Sequence, residues 1–237
     1  VGDRPRGIGF LPDGSRAYVA AENADLVNVV DVAKQEIVTR IKAASRSNGV
    51  VVHPDGKRVF FASTRSGSAQ VWQVDLASGQ QTQATSLPMD VGAFVLSPDG
   101  RTLAFTAGKA GAQPGLWVRT LGSPAAHPVV GAEEASFPFW SPDSRFIGYF
   151  TGGSLKKIDP SGGPALTICD AARGVGGAWN RDGTIVFAPT PTSPLFRVSS
   201  SGGKPEPATR LDASLHVTSH RYPVFLPDGR HFLYIAA

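Results

Sequence analysis

A tight turn built on Asp, set between two apolar runs, returns six times along the 237 residues and predicts an all-β propeller. The turn aspartates are Asp13, Asp55, Asp99, Asp143, Asp182 and Asp228, spaced 42, 44, 44, 39 and 46 residues apart. Gly follows each except Asp143, where Ser144 stands, and Pro precedes each except Asp182. Pro presets φ at the first turn position, Asp bonds back to the local backbone, and Gly takes the left-handed position without a Cβ clash. A second observation is the texture between turns. β-branched and aromatic runs of about 4–8 residues recur throughout, and helical spacing is sustained nowhere. The third is the 27 Gly and 19 Pro, a supply of turns that a many-stranded chain requires.

Each repeat reads as four strands, A to D. The first gives 7–11, the Asp13 turn, 16–21, 26–32 and 36–41; the second gives 49–52, the Asp55 turn, 58–62, 70–76 and 81–85. The third gives 93–96, the Asp99 turn, 102–106, 115–120 and 127–130; the fourth gives 137–140, the Asp143 turn, 146–150, 154–158 and 165–169. The fifth gives 177–179, the Asp182 turn, 184–188, 195–198 and a weaker run at 206–210. The sixth supplies only 222–226, the Asp228 turn and 231–235. A single propeller domain over 1–237 follows, with repeats at approximately 4–45, 46–89, 90–134, 135–172, 173–219 and a partial 220–237. Five complete blades plus a two-stranded sixth are expected, in a ring of six blade positions; a five-bladed ring with two surplus strands is the alternative. Because the sequence as given opens on a first strand, an unfinished last blade is expected either to expose an edge or to self-associate in trans.

The residues also carry family likenesses. The run Arg4-Pro5-Arg6-Gly7-Ile8-Gly9-Phe10-Leu11-Pro12-Asp13-Gly14-Ser15-Arg16-Ala17-Tyr18-Val19-Ala20, with Val30-Asp31, resembles a YVTN-type propeller repeat. Repeats two and three, with Ser97-Pro98-Asp99-Gly100-Arg101 and Leu116-Trp117-Val118, resemble the TolB-like, WD40-like (PD40) class. From Phe137-Pro138-Phe139-Trp140-Ser141-Pro142-Asp143 onward, with Asp159-Pro160-Ser161-Gly162-Gly163 and Ser200-Ser201-Gly202-Gly203-Lys204-Pro205, the chain resembles propeller domains attached to bacterial serine/threonine protein kinases. These resemblances imply a bacterial, non-catalytic module that binds a protein, peptide or small anionic ligand, in a periplasmic or other extracytoplasmic setting. The gating propeller of a prolyl-oligopeptidase-like hydrolase is a second implied role. The change of flavour along the chain suggests a third reading, an engineered or recombined chimera with no selected ligand.

Composition narrows the classes further. A net charge of +4 with no concentrated basic stripe argues against nucleic acid as partner. No run approaches the ~20 apolar residues of a membrane-spanning helix, and no signal peptide is visible. Cys169 is the single cysteine, so no internal disulfide forms, and a buried small hydrophobe is its expected role.

No G-x-S-x-G elbow, H-E-x-x-H pair, paired C-x-x-C or P-loop occurs, so no catalytic residue, metal site or cofactor is expected. Gly7-Ile8-Gly9 and Gly174-Val175-Gly176-Gly177 lead into strands, which suits glycine crowding at an axis better than a dinucleotide loop. One Asp per turn lacks the ligand density of a calcium loop and reads as turn capping. Asp212, His216, Ser219 and His220 offer triad residue types, but as close sequence neighbours they read as a polar loop. Trp72, Trp117, Trp140 and Trp179 fall inside strands and read as blade packing.

The candidate binding residues are Arg4, Arg6, Arg46, Arg173, His220 and Arg221, at the loops that enter the first strand of a blade. In a propeller those loops ring one mouth of the central channel, so guanidinium groups distant in sequence converge there to suit a carboxylate or phosphate. Their bland reading is separate solvated arginines. The B-to-C loops at 22–25, 64–69, 108–114 and 189–194 share that mouth and vary in length, as binding loops on a rigid scaffold do.

Overall fold

Each repeat folds into the antiparallel sheet that its strand pattern dictates, in a computed structural model describing residues 5–43, 49–109, 111–123, 125–226 and 228–237. The first sheet holds β1 (Pro5–Phe10), β2 (Arg16–Ala21), β3 (Leu26–Asp31) and β4 (Glu36–Lys42). The second holds β5 (Val50–Val52), β6 (Arg58–Ser63), β7 (Gln70–Asp75) and β8 (Gln81–Gln83). The third holds β9 (Asp90–Leu96), β10 (Thr102–Gly108), β11 (Gly115–Thr120) and β12 (His127–Pro128). The fourth holds β13 (Ser136–Trp140), β14 (Ile147–Thr151), β15 (Ser154–Ile158) and β16 (Leu166–Asp170). The fifth holds β17 (Gly177–Trp179), β18 (Thr184–Phe187), β19 (Phe196–Ser199) and β20 (Glu206–Pro207). The sixth holds only β21 (His220–Phe225) and β22 (Phe232–Ala236). Strands within every sheet follow chain order, each pairing with the next. The architecture is five four-stranded antiparallel sheets and one of two strands, the repeat pattern read from the sequence.

Three details depart from that reading. The fourth strands of the third and fifth sheets shorten to two residues, each containing a proline (Pro128, Pro207) that has no amide to extend the ladder. The last blade's first strand begins at His220, two residues before the expected run. Glu22–Ala24 and Ala213–Leu215 each wind into a single 3-10 turn.

Packing runs from face to face between successive sheets, and the second strands of the second to fifth sheets serve both faces. Val59 and Phe61 of β6 join Tyr18, Ala20, Val27 and Val29 of the first sheet, while Phe60 and Ala62 join Leu103 and Phe105 of the third. Ile147 and Tyr149 of β14 pack against the third sheet, and Phe150 against Ile185 and Phe187 of the fifth. Val186 of β18, with Ala188 just beyond it, turns the other way, toward Phe225 and Phe232 of the sixth. Strands buried on both faces read as unbroken apolar runs, which is why Arg58-Val59-Phe60-Phe61-Ala62 shows no alternation. The innermost strands touch in succession, β9 with β13, β13 with β17 and β17 with β21.

Gly7 and Gly9 show how close this approach is. A Cβ on Gly7 would stand 3.0 Å from the Gly49 Cα, and one on Gly9 would stand 3.1 Å from Val52 Cγ2. The alternating residues Ile8 and Phe10 therefore point to the opposite face of β1, where they stay 57% and 48% exposed. Val224, Leu233 and Ile235 on the outward face of the sixth sheet are 61%, 59% and 54% exposed. The two ends of the array thus present uncovered faces of the kind that the internal seams bury.

The turns knit the blades at the other end. Asp13, Asp55, Asp99, Asp143 and Asp228 each accept the amide of the residue two positions on. The serine of Ser-Pro-Asp adds to this. Ser97 Oγ donates to Asp99 and accepts the Thr102 amide, and Ser141 repeats both bonds with Asp143 and Phe146. In the fifth blade Asn180 replaces the aspartate as acceptor, taking the amides of Asp182 and Thr184. Neighbouring turns are then joined: Asp99 N donates to Ser144 Oγ at 3.1 Å, and Asn180 Nδ2 donates to Gly229 O at 3.0 Å. His53 Nε2 lies 2.9 Å from Gly100 O in the same register. Ser144 holds φ at 61°, where the equivalent Gly14, Gly56 and Gly100 lie between 68° and 74°, so its hydroxyl is retained in a backbone state that favours glycine.

Three outcomes test this account. Gly7→Val forces side-chain atoms into the Gly49 backbone and lowers stability by about 1–3 kcal/mol, read from a thermal melt; an unchanged melting temperature would mean the inner strands are not in contact. Ser144→Ala keeps the strained φ and removes the inter-blade acceptor, so it destabilises by about 1–2 kcal/mol, and more than Ser144→Gly does. The third concerns acid. The Ser15 amide holds Asp13, and the Ser141 hydroxyl Asp143, below the usual carboxylate range, and the His231 side chain does so more strongly for Asp228. A depressed folded pKa gives stability that is present above the unfolded value of 3.8 and lost as pH falls through the folded value. Asp143→Asn should therefore flatten the fall in melting temperature below about pH 4 relative to the parent, and parallel profiles would refute the carboxylate's part in it.

Candidate channel-mouth binding site

The loops entering the first strands and the loops joining second to third strands meet around one cavity of about 550 Å³. Gln113 and Gly152-Gly153 come from the second-to-third connections of blades three and four, with Thr151 at the end of β14, and Pro191 from that of blade five. Glu134-Ala135 and Ala171-Ala172-Arg173 precede first strands, and Arg221 lies in β21. Phe137, Phe150 and Val175 supply its apolar lining.

Two of the candidate arginines thus come together although 48 residues apart in sequence. Arg173 is exposed; its backbone amide donates to Pro189 O, and its guanidinium makes no hydrogen bond or ion pair among the described residues. Arg221 is half-buried, with Nε donating to Pro191 O and Ser219 Oγ, both at 3.1 Å. That anchor leaves its two terminal nitrogens without a partner among the described residues. Glu134 sets one acid against the two bases.

Gly174, next to Arg173, is required by close approach, since a Cβ there would stand 1.9 Å from Phe150 Cδ1. The ring of Phe150 fills the space that any side chain at 174 would take, and this fixes how Arg173 leaves the fourth-to-fifth connection.

The remaining candidates fall elsewhere. Arg4 and Arg46 lie outside the described residues, and of Arg6 only the backbone placement in β1 is described. His220 is not offered to the cavity: it is 3% exposed, its Nδ1 lies 2.8 Å from Thr209 Oγ1, and its ring packs 4.5 Å from that of Tyr234. Desolvation pushes its pKa below the ordinary imidazole value, which favours the neutral ring. The loop cluster does not assemble a triad. Asp212 accepts from Ser214, Ser219 is buried against Arg221, and His220 faces Thr209. Cys169 is buried between the fourth and fifth sheets, its thiol pushed up to about 11 by burial and by Asp170. Trp140 lies in the seam between the third and fourth sheets, and Trp72, Trp117 and Trp179 pack against the seams beside their strands. No group of three or more His, Cys, Asp or Glu residues fit to hold a metal occurs among the described residues. No described helix is long and apolar enough to cross a membrane.

Sequence reasoning missed the aromatic part of the site. Phe137 and Tyr222 hold φ at 47° and 53°, each six residues before its turn aspartate. Gly49 and Gly176 take the left-handed region at the same repeat position. The antiparallel register slips at both aromatic positions, a bulge that re-aims the side chain. The rings of Phe137 and Tyr222 meet at 5.9 Å, and Gly176 lies between their strands in sequence, with a Cβ there only 3.0 Å from Tyr222 Cδ1. A bulky left-handed residue is an outlier that surrounding packing must hold. The available signal was the alignment of Phe137 and Tyr222 with glycines at the same distance from the turn.

No protein-family model and no curated protein matches the chain. Solved structures do. The chain is similar to a Kuenenia stuttgartiensis hydrazine synthase structure, with TM-score 0.69 and 17% identity, over 83% of this chain and 64% of that one. It is similar to TolB from Acinetobacter baumannii, with TM-score 0.65 and 18% identity, over 84% of this chain and 53% of that one. It is also similar to a protein assigned as TolB from Agrobacterium tumefaciens, with TM-score 0.71 and 16% identity, over 99% of this chain and 91% of that one. The chain therefore spans less than two thirds of the length of the first two. At these identities the likeness is one of fold, that of a β-propeller.

Proposed function

We propose that this chain is a non-catalytic binding module whose mouth cavity takes the carboxylate of a peptide ligand. The observation that supports it is the meeting of Arg173 and Arg221 at one cavity, one guanidinium unpartnered and the other held by its Nε alone among the described residues. A carboxylate between two guanidiniums gains charge-assisted hydrogen bonds, and the Phe137 and Phe150 rings beside it suit an apolar side chain on the same ligand. Glu134 across the cavity suits the peptide's amide donors. The propeller fold is shared with a hydrazine synthase, so the fold does not decide against catalysis; the non-catalytic reading rests on the dispersed loop cluster and the buried His220. Nothing described favours the hydrolase gate or the recombined chimera over a binding module.

N-acetyl-Phe-Glu is a suitable probe, followed by calorimetry in a salt series. Binding should saturate, weaken as ionic strength rises, and fall about tenfold in Arg173→Ala, a cost of roughly 1.4 kcal/mol. Arg221→Lys should weaken it similarly while keeping the positive charge, because a lysine cannot present two parallel donors. Equal affinity in parent and Arg173→Ala, with both melting alike, would reject the cavity as the carboxylate site.

A further inference from the structure

The seam between the fourth and fifth blades is held differently from its neighbours. Hydrogen bonds join the second turn to the third, the third to the fourth and the fifth to the sixth, through His53–Gly100, Asp99–Ser144 and Asn180–Gly229. Among the described residues no such bond joins the fourth turn to the fifth. A cavity of about 450 Å³ stands there instead, and it shares no lining residue with the mouth cavity.

Lys157 breaks the pattern of the other blades at this seam. It pairs with Gly148, five residues past its turn aspartate. At the same register Tyr18 pairs with Val29 and Ala104 with Val118, both of them valines buried between blades. A valine there needs no polar partner, whereas a half-buried ammonium does. Lys157 Nζ donates to Ser200 O at 2.8 Å and stands 5.3 Å and 5.9 Å from the ring centroids of Phe146 and Trp179. An ammonium has three donors, so two remain without a hydrogen-bond partner among the described residues.

Further donors line the same cavity. Arg181 is exposed, and its guanidinium makes no hydrogen bond or ion pair among the described residues. Trp179 Nε1 makes none there either and is open to solvent, since Trp72 Nε1 is the single buried side-chain donor left unpaired among those residues. Asp143 is the one acid in the lining, and its Oδ1 already accepts from Ser141 Oγ and the Arg145 amide. Two cations thus stand against one carboxylate.

We infer that this cavity binds an aryl phosphate monoester. The three terminal oxygens of such a group match donors spread over Lys157, Trp179 and Arg181 better than the two of a carboxylate do, and its second negative charge answers the second cation. The Phe146 and Trp179 rings suit the flat organic half of the ligand. This inference is independent of the mouth cavity.

Phenyl phosphate is the probe, titrated by calorimetry into the full chain at about pH 7.5, where the phosphate is dianionic. Binding should saturate, and N-acetyl-Phe-Glu at saturation should leave it unchanged. Lys157→Met, which keeps an unbranched stem in the seam, should weaken it by about tenfold or more. Trp179→Phe, which keeps a ring and loses the N–H, and Arg181→Ala, at an exposed position, should each weaken it by less. Phenyl sulfate, with the same shape and a single charge, should bind more weakly. A lysine that only braces the seam would lower the melting temperature on substitution and leave affinity as it was, so equal affinity in parent and Lys157→Met overturns the proposal. Should Lys157→Met fail to fold, equal affinity in parent and Arg181→Ala does the same. So do the absence of saturable heat at millimolar phenyl phosphate, displacement by N-acetyl-Phe-Glu, which would place the phosphate at the mouth, and equal affinity for phenyl sulfate.

Discussion

The structure depends on one constraint, that the second strand of every four-stranded blade is buried on both faces at once. A strand with side chains alternating between two neighbouring sheets has little room for polar residues in its middle, and in β6, β10, β14 and β18 these fall at strand ends, Thr106 excepted. Each therefore joins two apolar seams, and the fold becomes a chain of sheets in which every internal blade is held by its two neighbours. This is the one-dimensional logic of repeat proteins, where stability accrues at interfaces and the terminal units are the weakest. On the sixth sheet Phe232 packs toward the fifth, while Leu233 and Ile235 stand exposed, as do Ile8 and Phe10 on the first.

The turns do a different job from the seams. Side-chain oxygens of aspartate, serine or Asn180 absorb the turn amides, which frees the outward backbone groups to bond to the next blade. Ser144 shows that the link matters enough to hold a serine at φ 61°. The fifth blade shows the cost of losing a residue. Its second strand starts two positions after Asp182, against three in the first three blades and four in the fourth and sixth, and the cavity of about 450 Å³ lies between its turn and that of the fourth blade. Lys157 spans this gap, donating to Ser200 O at 2.8 Å with its ammonium 5.9 Å from the Trp179 ring.

Much of the fold was legible because its signals are local. A turn aspartate and its glycine need only their own neighbours, and a two-faced strand shows as an unbroken apolar run. The meeting of Arg173 and Arg221 was legible at one remove, since the topology puts loops of one kind at one mouth. What stayed hidden depends on non-local packing. Phe137 and Tyr222 adopt left-handed backbone because each ring finds the other across Gly176, and nothing within either repeat announces that. His220 looked like a ligand residue by its position, but Tyr234 and Thr209 claim it first.

The cavity and the sixth blade are mechanically one problem. Arg221 and Tyr222 both belong to β21, and β21 is supported by the fifth sheet on one face and by β22 on one edge. The Tyr222–Phe137 contact and the Arg221–Pro191 hydrogen bond reach from that strand to blades four and five. A ligand engaging both guanidiniums adds another tie between the sixth blade and the fourth-to-fifth connection, so it binds best when β21 is held in place. By linkage, whatever orders β22 favours that ligand, and the ligand in turn favours the ordered blade by the same factor. The sixth blade thus contributes one of the two guanidiniums at this cavity, and the placement of β21 sets where Arg221 stands relative to Arg173.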